Sequence, residues 1–149
     1  MAMSTSRYPE TADAIRTPER RYQVKRKRIL VVEDDRLSLI LLRQLLTAQG
    51  YETLHSSEGW DGINRARNDQ PDLIVMDINL PDISGLDATL LLKKDDQTKN
   101  IPIIAVTAFV TPADKANALS SGCDAYIAKP VNMSNLLGTV ETFLSSSSA

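Results

Sequence analysis

Acidic, hydroxyl and amine side chains follow directly after short apolar runs in this 149-residue chain. They are Glu33 and Asp34 after the first run, and Asp77, Thr107 and Lys129 after later ones. Carboxylates that converge on one crevice raise each other's pKa unless a cation neutralises them, and Mg²⁺ prefers such oxygen ligands. With a nucleophilic carboxylate, a hydroxyl and an ammonium group beside the metal, these residue types are suited to phosphoryl transfer.

Five apolar runs alternate with helical segments, and the Val- and Ile-rich ones are typical of strands buried on both faces of a parallel sheet. We predict strands at 29–32, 52–55, 73–76, 103–106 and 125–128. The alternation predicts an α/β fold, a (βα)5 doubly wound five-stranded parallel sheet. The crevice of such a sheet lies beyond the carboxyl ends of its strands, where the polar residues would meet.

The predicted helices have recognisable ends and faces. The first has Asp35 as its N-cap, a role we favour over metal binding, and Gly50 as its C-terminal cap. Its predicted apolar face consists of Leu37, Ile40, Leu41, Leu45 and Leu46. The face of the last helix consists of Met133, Leu137, Val140 and Leu144. Beside it lie Leu136 and Phe143, which belong either to the core or to a partner contact. Ser84 and Thr111 each begin a helix, and Gly122 ends one.

Charge divides the chain into regions. Residues 1–28 carry eight Lys or Arg against three acids, which makes them basic, whereas the whole chain has a net charge of −2. We predict a basic extension at 1–27, flexible or partly helical, a folded domain at 28–145 and a Ser-rich tail at 146–149. The basic run 25–28 could bind nucleic acid or an anionic membrane, but a solvated approach to the first strand is favoured.

The remaining composition indicates the compartment. A single cysteine excludes an intrachain disulfide, and neither a membrane-length apolar run nor a signal-peptide core is present. These features predict a cytoplasmic protein without membrane insertion. Cys123 is interpreted as a buried structural thiol. His55 is interpreted as a packed or exposed strand residue rather than a phosphorelay histidine or a metal ligand. Trp60 is interpreted as a helix-packing residue, with a partner contact as the lesser alternative.

Four sequence blocks carry a resemblance to a known family. The segments 29–35, 71–81, 104–108 and 125–130 resemble the signature blocks of two-component response regulator receiver domains. The resemblance covers about residues 28–144 and implies the flavodoxin-like receiver fold. Segments 48–54 and 122–126 resemble the single-domain cell-division regulators of that family.

The resemblance implies a phosphorylation site with Mg²⁺ as its cofactor. Asp77 would accept a phosphoryl group from a phosphohistidine. Glu33, Asp34, Asp77 and the backbone carbonyl of Asn79 would form the metal site, with Asp34 as a direct ligand. We hypothesise that Phe109 and Asn79 tune the phosphoryl lifetime by limiting access of water.

The same resemblance assigns a sensing role to residues after the last two strands. Thr107 would hydrogen-bond a phosphoryl oxygen, and Lys129 would pair with the phosphoryl charge. The Lys129–Pro130 peptide would be cis. Tyr126 would occupy the aromatic position that changes rotamer when Thr107 moves.

The predicted function is that of a stand-alone response regulator that catalyses only its own phosphorylation and dephosphorylation. A sensor histidine kinase or histidine phosphotransferase would be the donor, and a downstream protein the target, with a homodimer possible and no DNA-binding domain. One alternative is a phosphorylation-independent scaffold. Another is a small flavodoxin-like carrier, although its phosphate loop would be hydroxyl-rich, where this chain has Glu33-Asp-Asp35.

Overall fold

Five parallel strands form one sheet in the order β2-β1-β3-β4-β5 in a computed structural model, which describes residues 25–108 and 111–147. The strands are β1 (Arg28–Val32), β2 (Glu52–Ser56), β3 (Leu73–Asp77), β4 (Ile103–Thr107) and β5 (Ala125–Ala128). The helices are α1 (Arg36–Ala48), α2 (Gly59–Asp69), α3 (Gly85–Lys94), α4 (Pro112–Ser120) and α5 (Met133–Ser147). The predicted (βα)5 fold is confirmed, and each predicted strand lies within an observed one.

The two ends of the predicted folded domain compare differently with the structure. β1 begins at Arg28, the first residue of the predicted domain. α5 continues through Ser147, two residues beyond the predicted end at 145. Most of the predicted basic extension, residues 1–24, lies outside the described part of the chain, as do residues 148–149.

The strand register brings the carboxyl ends of the central strands to one edge. Asp77 at the end of β3 pairs with Val106 of β4. Thr107, the last residue of β4, pairs with Ala128 of β5. Because all these pairings are parallel, the residues that follow the strands emerge on the same side of the molecule.

Two apolar clusters form the core, one on each face of the sheet. Leu30 and Val32 point to the face covered by α2, α3 and α4. Ile29 and Val31 point to the face covered by α1 and α5. This alternation follows the two-residue period of a strand, and burial on both faces explains why β1 is apolar from residue 29 to residue 32.

The predicted core face of α1 is wrong in part. Leu37, Ile40 and Leu41 are exposed, by 66%, 40% and 53% respectively. Leu42 and Leu46 are the buried residues of the helix. Apolar residues surround more than one face of α1, so helical periodicity alone does not select the face that packs on the sheet.

The buried stripe of α5 also differs from the predicted one. Leu136, Val140 and Leu144 are buried, whereas Met133, the first residue of the helix, is 55% exposed. Leu136 therefore belongs to the core and does not contribute a partner contact. Phe143 is partly buried and packs against the same cluster.

The predicted helix boundaries are confirmed by their caps. Asp35, Ser84 and Thr111 each accept a backbone N–H from the first turn of the following helix. Gly50 and Gly122 follow the ends of α1 and α4 with φ of 95° and 104°. Side chains other than glycine rarely adopt this left-handed backbone, which is why glycine stands at both positions.

Candidate functional site

Asp77 is a buried carboxylate at the end of a strand that is buried along its whole length. All five residues of β3 are buried, and Asp77 is 5% exposed. The four apolar residues before it fix the strand between the two core clusters. Asp77 is consequently held rigidly at the crevice instead of extending into solvent.

A cluster of carboxylates surrounds Asp77. Carboxylate oxygens of Glu33, Asp34 and Asp77 lie within 4.8 Å of one another. Glu33 is 1% exposed, whereas Asp34 is exposed at the rim. A cavity of about 270 Å³ opens above them. It is lined by Glu33, Asp34, Asp35, Asp77, Asn79, Ala108 and Lys129.

Lys129 is the cation of the site. Its Nζ donates a hydrogen bond to Glu33 Oε1 at 2.8 Å and lies 3.6 Å from Asp77 Oδ2. Its backbone N–H donates to the carbonyl of Thr107 at 2.8 Å. Burial lowers the pKa of Lys129, but the hydrogen bond to Glu33 and the charges of Asp77 and Glu33 outweigh it, so the pKa is raised. Lys129 therefore stays protonated.

The pKa of Asp77 is raised to about 7, mainly by burial and then by the neighbouring Glu33 carboxylate. The charge of Lys129 and the backbone N–H of Asn79, which donates to Asp77 Oδ1 at 3.3 Å, lower it again but do not compensate. Without a metal ion, ionised Asp77 is thus an unfavourable charge in the folded protein.

This unfavourable charge predicts a pH dependence of stability in Mg²⁺-free buffer. Because the folded pKa of Asp77 lies near 7 and above its ordinary value of 3.8, its contribution to stability is complete below about pH 4 and is lost as the pH rises towards 7. Asp77→Asn removes this titration. Relative to the variant, wild type should lose on the order of 2 kcal/mol of unfolding free energy between about pH 4.5 and 8. Urea unfolding of both proteins across this range measures the difference, and a pH-independent difference would contradict the raised pKa.

The donor set fits a divalent cation with oxygen ligands. The three clustered carboxylates outnumber the single ammonium group of Lys129 beside them. Mg²⁺ is bound in proteins through one or two carboxylates together with waters and phosphate oxygens. Asn79, two residues after Asp77, also lines the cavity, and the resemblance predicts its backbone carbonyl as a further oxygen ligand.

Thr107, Tyr126 and Pro130 are not among the residues that line the cavity. Thr107 is fully buried at the end of β4, joined to Lys129 through the backbone hydrogen bond. Tyr126 packs against the core cluster on the α2, α3 and α4 side. Its hydroxyl is shielded from solvent, with no hydrogen-bond partner among the described residues. The Lys129–Pro130 peptide is cis. Phe109 lies outside the described residues.

Three other chemically distinctive residues lie away from the cavity. Cys123 is buried and burial raises its pKa, which agrees with an unreactive structural thiol. His55 is exposed on the edge strand β2. Trp60 is 52% exposed in the first turn of α2, so it does not belong to the buried core.

The sequence interpretation missed two residues that shape the loop after Asp77. Gly85 packs so closely that an added Cβ would lie 2.2 Å from the Asp77 carbonyl oxygen. Asp82 binds the start of α2 through two backbone N–H groups. Gly85 follows the predicted cap Ser84, which marked a helix start but gave no sign of the close approach. No sequence signal connects Asp82 to a helix more than twenty residues earlier.

The family model of the response regulator receiver domain matches residues 29–141. The chain belongs to this family. The match includes every predicted site residue and all five strands except Arg28, the first residue of β1. Membership sets aside the alternative of a flavodoxin-like carrier. None of the helices in the described ranges combines the length and apolar content needed to cross a bilayer.

Curated relatives of this receiver domain include regulators of cell polarity. The chain is 43% identical over 118 residues to the polar-differentiation response regulator DivK of Brucella anthropi, which covers 79% of this chain and 96% of the relative. DivK of Brucella ovis is 42% identical over the same length and coverage. The predicted resemblance to single-domain cell-division regulators is thereby confirmed.

Solved structures agree with this placement. A CheY-like response regulator receiver domain from Methanospirillum hungatei has a TM-score of 0.76 and 32% identity, covering 82% of this chain and 96% of its own. The receiver domain of a sensor histidine kinase from Pseudomonas aeruginosa has a TM-score of 0.76 and 28% identity, covering 81% and 99%. That structure has a magnesium ion coordinated in its active-site cleft.

Proposed function

We propose that this receiver domain accepts a phosphoryl group on Asp77 in a Mg²⁺-dependent reaction and signals through phosphorylation-dependent protein contacts. The observation that carries the proposal is the buried Asp77 carboxylate with Glu33, Asp34 and Lys129 around one cavity. Family membership supports it. The protein would catalyse no reaction other than its own phosphorylation and dephosphorylation.

The proposed metal site consists of Glu33, Asp34, Asp77 and the backbone carbonyl of Asn79. Asp34 stands at the exposed rim, which suits a direct ligand. Glu33 is already hydrogen-bonded to Lys129 and to the backbone N–H of Asp35, so its carboxylate is oriented before metal arrives. When bound, Mg²⁺ would neutralise the carboxylates and the phosphoryl oxygens.

The residues of the chain then perform the transfer by positioning and charge. An Asp77 carboxylate oxygen forms the new bond to phosphorus, while the bond from phosphorus to the donor histidine nitrogen breaks and its electrons return to the imidazole. Lys129 is 3.6 Å from Asp77, so a small movement away from Glu33 brings its ammonium group to a phosphoryl oxygen. The Thr107 hydroxyl would donate a hydrogen bond to another phosphoryl oxygen.

Movement of Thr107 would transmit the signal to Tyr126. Tyr126 lies on β5, next to β4, and its hydroxyl has no partner among the described residues. A shielded hydroxyl without a partner is unfavourable, which leaves this side chain easier to displace than a bonded one. The phosphoryl group would favour one arrangement of this pair, as in other population shifts.

The proposed donor is a sensor histidine kinase or a histidine phosphotransferase, which must dock beside the cavity. An apolar groove of about 740 Å³ lies between α1 and the start of α5 and shares Ala108 and Lys129 with the site cavity. The exposed side chains of Leu41 and Met133 line it. A protein that covered this apolar surface would hold its phosphohistidine next to Asp77. A downstream target protein and a second copy of this chain are the other proposed partners.

The test is incubation of the protein with acetyl phosphate, with and without Mg²⁺. We expect intact-mass spectrometry to show one added phosphoryl group only with Mg²⁺, and mild alkali to remove it because acyl phosphates are labile. A beryllofluoride mimic should produce Mg²⁺-dependent changes in the amide spectrum. A wild-type protein that stays unmodified and does not respond to Mg²⁺ would rule out the proposed function, leaving a scaffold.

A further inference from the structure

The N-terminus of α2 is capped by a residue from a distant loop. Glu58 stands at the N-cap position and makes no side-chain cap bond. Instead, Asp82 Oδ1 accepts the backbone N–H of Gly59 at 2.8 Å, and Asp82 Oδ2 accepts that of Trp60 at 3.0 Å. We call this pair of hydrogen bonds the α2 clamp.

The α2 clamp has favourable electrostatics. The first N–H groups of a helix have no partner within the helix and carry the positive end of its dipole. A carboxylate that accepts two of them makes charge-assisted hydrogen bonds. The backbone hydrogen bond from Trp60 is the main reason that the pKa of Asp82 is lowered, so Asp82 is ionised at neutral pH.

Close packing supports the clamp from the other side. Gly59 is buried, and a Cβ added there would lie 2.3 Å from Ile83 Cγ2. The side chain of Ile83 packs against the core cluster on the same face of the sheet. Only a residue without a side chain leaves the loop room to lie against the start of α2.

The clamped loop is the one that carries Asn79. At its base, the N–H of Gly85 donates to the Ile78 carbonyl at 2.8 Å, which closes the loop into a ring of backbone. The N–H of Asn79 donates to the Asp77 carboxylate at 3.3 Å. The loop is thus fixed at its base beside Asp77 and at its far side by Asp82, with Asn79 between the two.

We infer that Asp82 is a positioning residue for metal binding: by holding the loop to α2, it sets the Asn79 backbone carbonyl beside Asp77. This inference rests on the proposed Mg²⁺-dependent function. Asp82 is exposed and does not line the site cavity, so its effect on the metal passes through the loop. Residues that orient ligands from outside a metal site commonly change affinity by 10-fold or more.

The test is a Mg²⁺ titration of ¹⁵N-labelled proteins followed by amide chemical shifts. In wild type, the Gly59 and Trp60 amide protons should resonate at low field, as expected for donors to a carboxylate. Asp82→Ala should move both upfield and weaken Mg²⁺ binding roughly 10-fold. Asp82→Asn keeps one acceptor oxygen, which can accept only one of the two N–H groups, so it should weaken Mg²⁺ binding less than Asp82→Ala does. Gly59→Ala should weaken binding in the same direction, since it pushes on the loop from the helix side.

Asp61→Ala is the matched control. Asp61 lies in the first turn of the same helix and pairs with Arg65 at 3.1 Å instead of with the loop. The Asp61→Ala substitution removes the same charge from the same region. The Mg²⁺ affinity of this variant should stay within about 2-fold of wild type. Equal weakening by Asp61→Ala and Asp82→Ala would show a charge effect and overturn the inference.

The other outcomes separate the inference from the function on which it rests. If wild type binds Mg²⁺ and Asp82→Ala binds it equally well, Asp82 is no positioning residue although the proposed function stands. If wild type itself binds no Mg²⁺, the proposed function fails and this inference with it. Thermal unfolding of each variant accompanies the titration, and a higher Mg²⁺ affinity of Asp82→Asn than of Asp82→Ala excludes a general loss of folding as the cause.

Discussion

Replacement of Asp77 by Asn is expected to abolish labile phosphorylation by acetyl phosphate in the presence of Mg²⁺. The amide keeps the size of the side chain but lacks the nucleophilic carboxylate oxygen, and removal of a nucleophile reduces a rate on the order of 10³-fold or more. Intact-mass spectrometry over a time course measures the added phosphoryl group. The fold should be retained, because the variant also loses the buried charge whose pKa is raised.

Asp96→Asn serves as the control for this prediction. The Asp96 side chain is 92% exposed and pairs with the surface residue Lys99. Its phosphorylation rate should match that of wild type. Undiminished alkali-labile label on Asp77→Asn would place the acceptor at another residue and overturn the assignment of Asp77.

Gly85→Ala is expected to destabilise the protein by about 3 kcal/mol. The new Cβ would lie 2.2 Å from the carbonyl oxygen of Asp77 and 2.7 Å from Ile78 Cα. Both neighbours are backbone atoms, which cannot move aside as a flexible side chain does. The backbone after β3 must therefore shift, and urea unfolding should show a lower midpoint with an unchanged slope.

Gly138→Ala is a matched control for the glycine substitution. Gly138 lies inside α5, and a Cβ built there meets nothing within 4 Å. Alanine is the better helix former, so this variant should gain up to about 1 kcal/mol. Equal stability of Gly85→Ala and wild type would mean that the backbone beside Asp77 yields easily, contrary to the close packing described above.

The sequence was sufficient to predict the fold and most of the cavity wall because both follow from local pattern. Buried parallel strands appear as apolar runs, and parallel pairing brings whatever follows them to one edge. Glu33, Asp34, Asp77 and Lys129 could be placed near one another on this basis alone. The contacts among these side chains could not be predicted. Nothing in the local sequence indicates that Lys129 lies closer to Glu33 than to Asp77.

The wrong predictions concern which side of a helix is buried, and tertiary packing determines that. α1 is apolar on more than one face, and only docking on the sheet determines that Leu42 is buried while Leu41 is exposed. The α2 clamp joins residues 22 and 23 positions apart through space, across a strand and a loop. Such contacts depend on the angle between elements, which hydrophobic periodicity does not specify.

The ion pair between Lys129 and Glu33 joins residues 96 positions apart. Synthesis from the N-terminus therefore delivers the carboxylates of the first and third strands long before the amine that balances them. A nascent chain that ends before β5 carries the acidic cluster without Lys129, the one basic residue among the described residues of the cavity wall. The charge balance of the cavity is thus complete only after the residue that follows β5 has been synthesised.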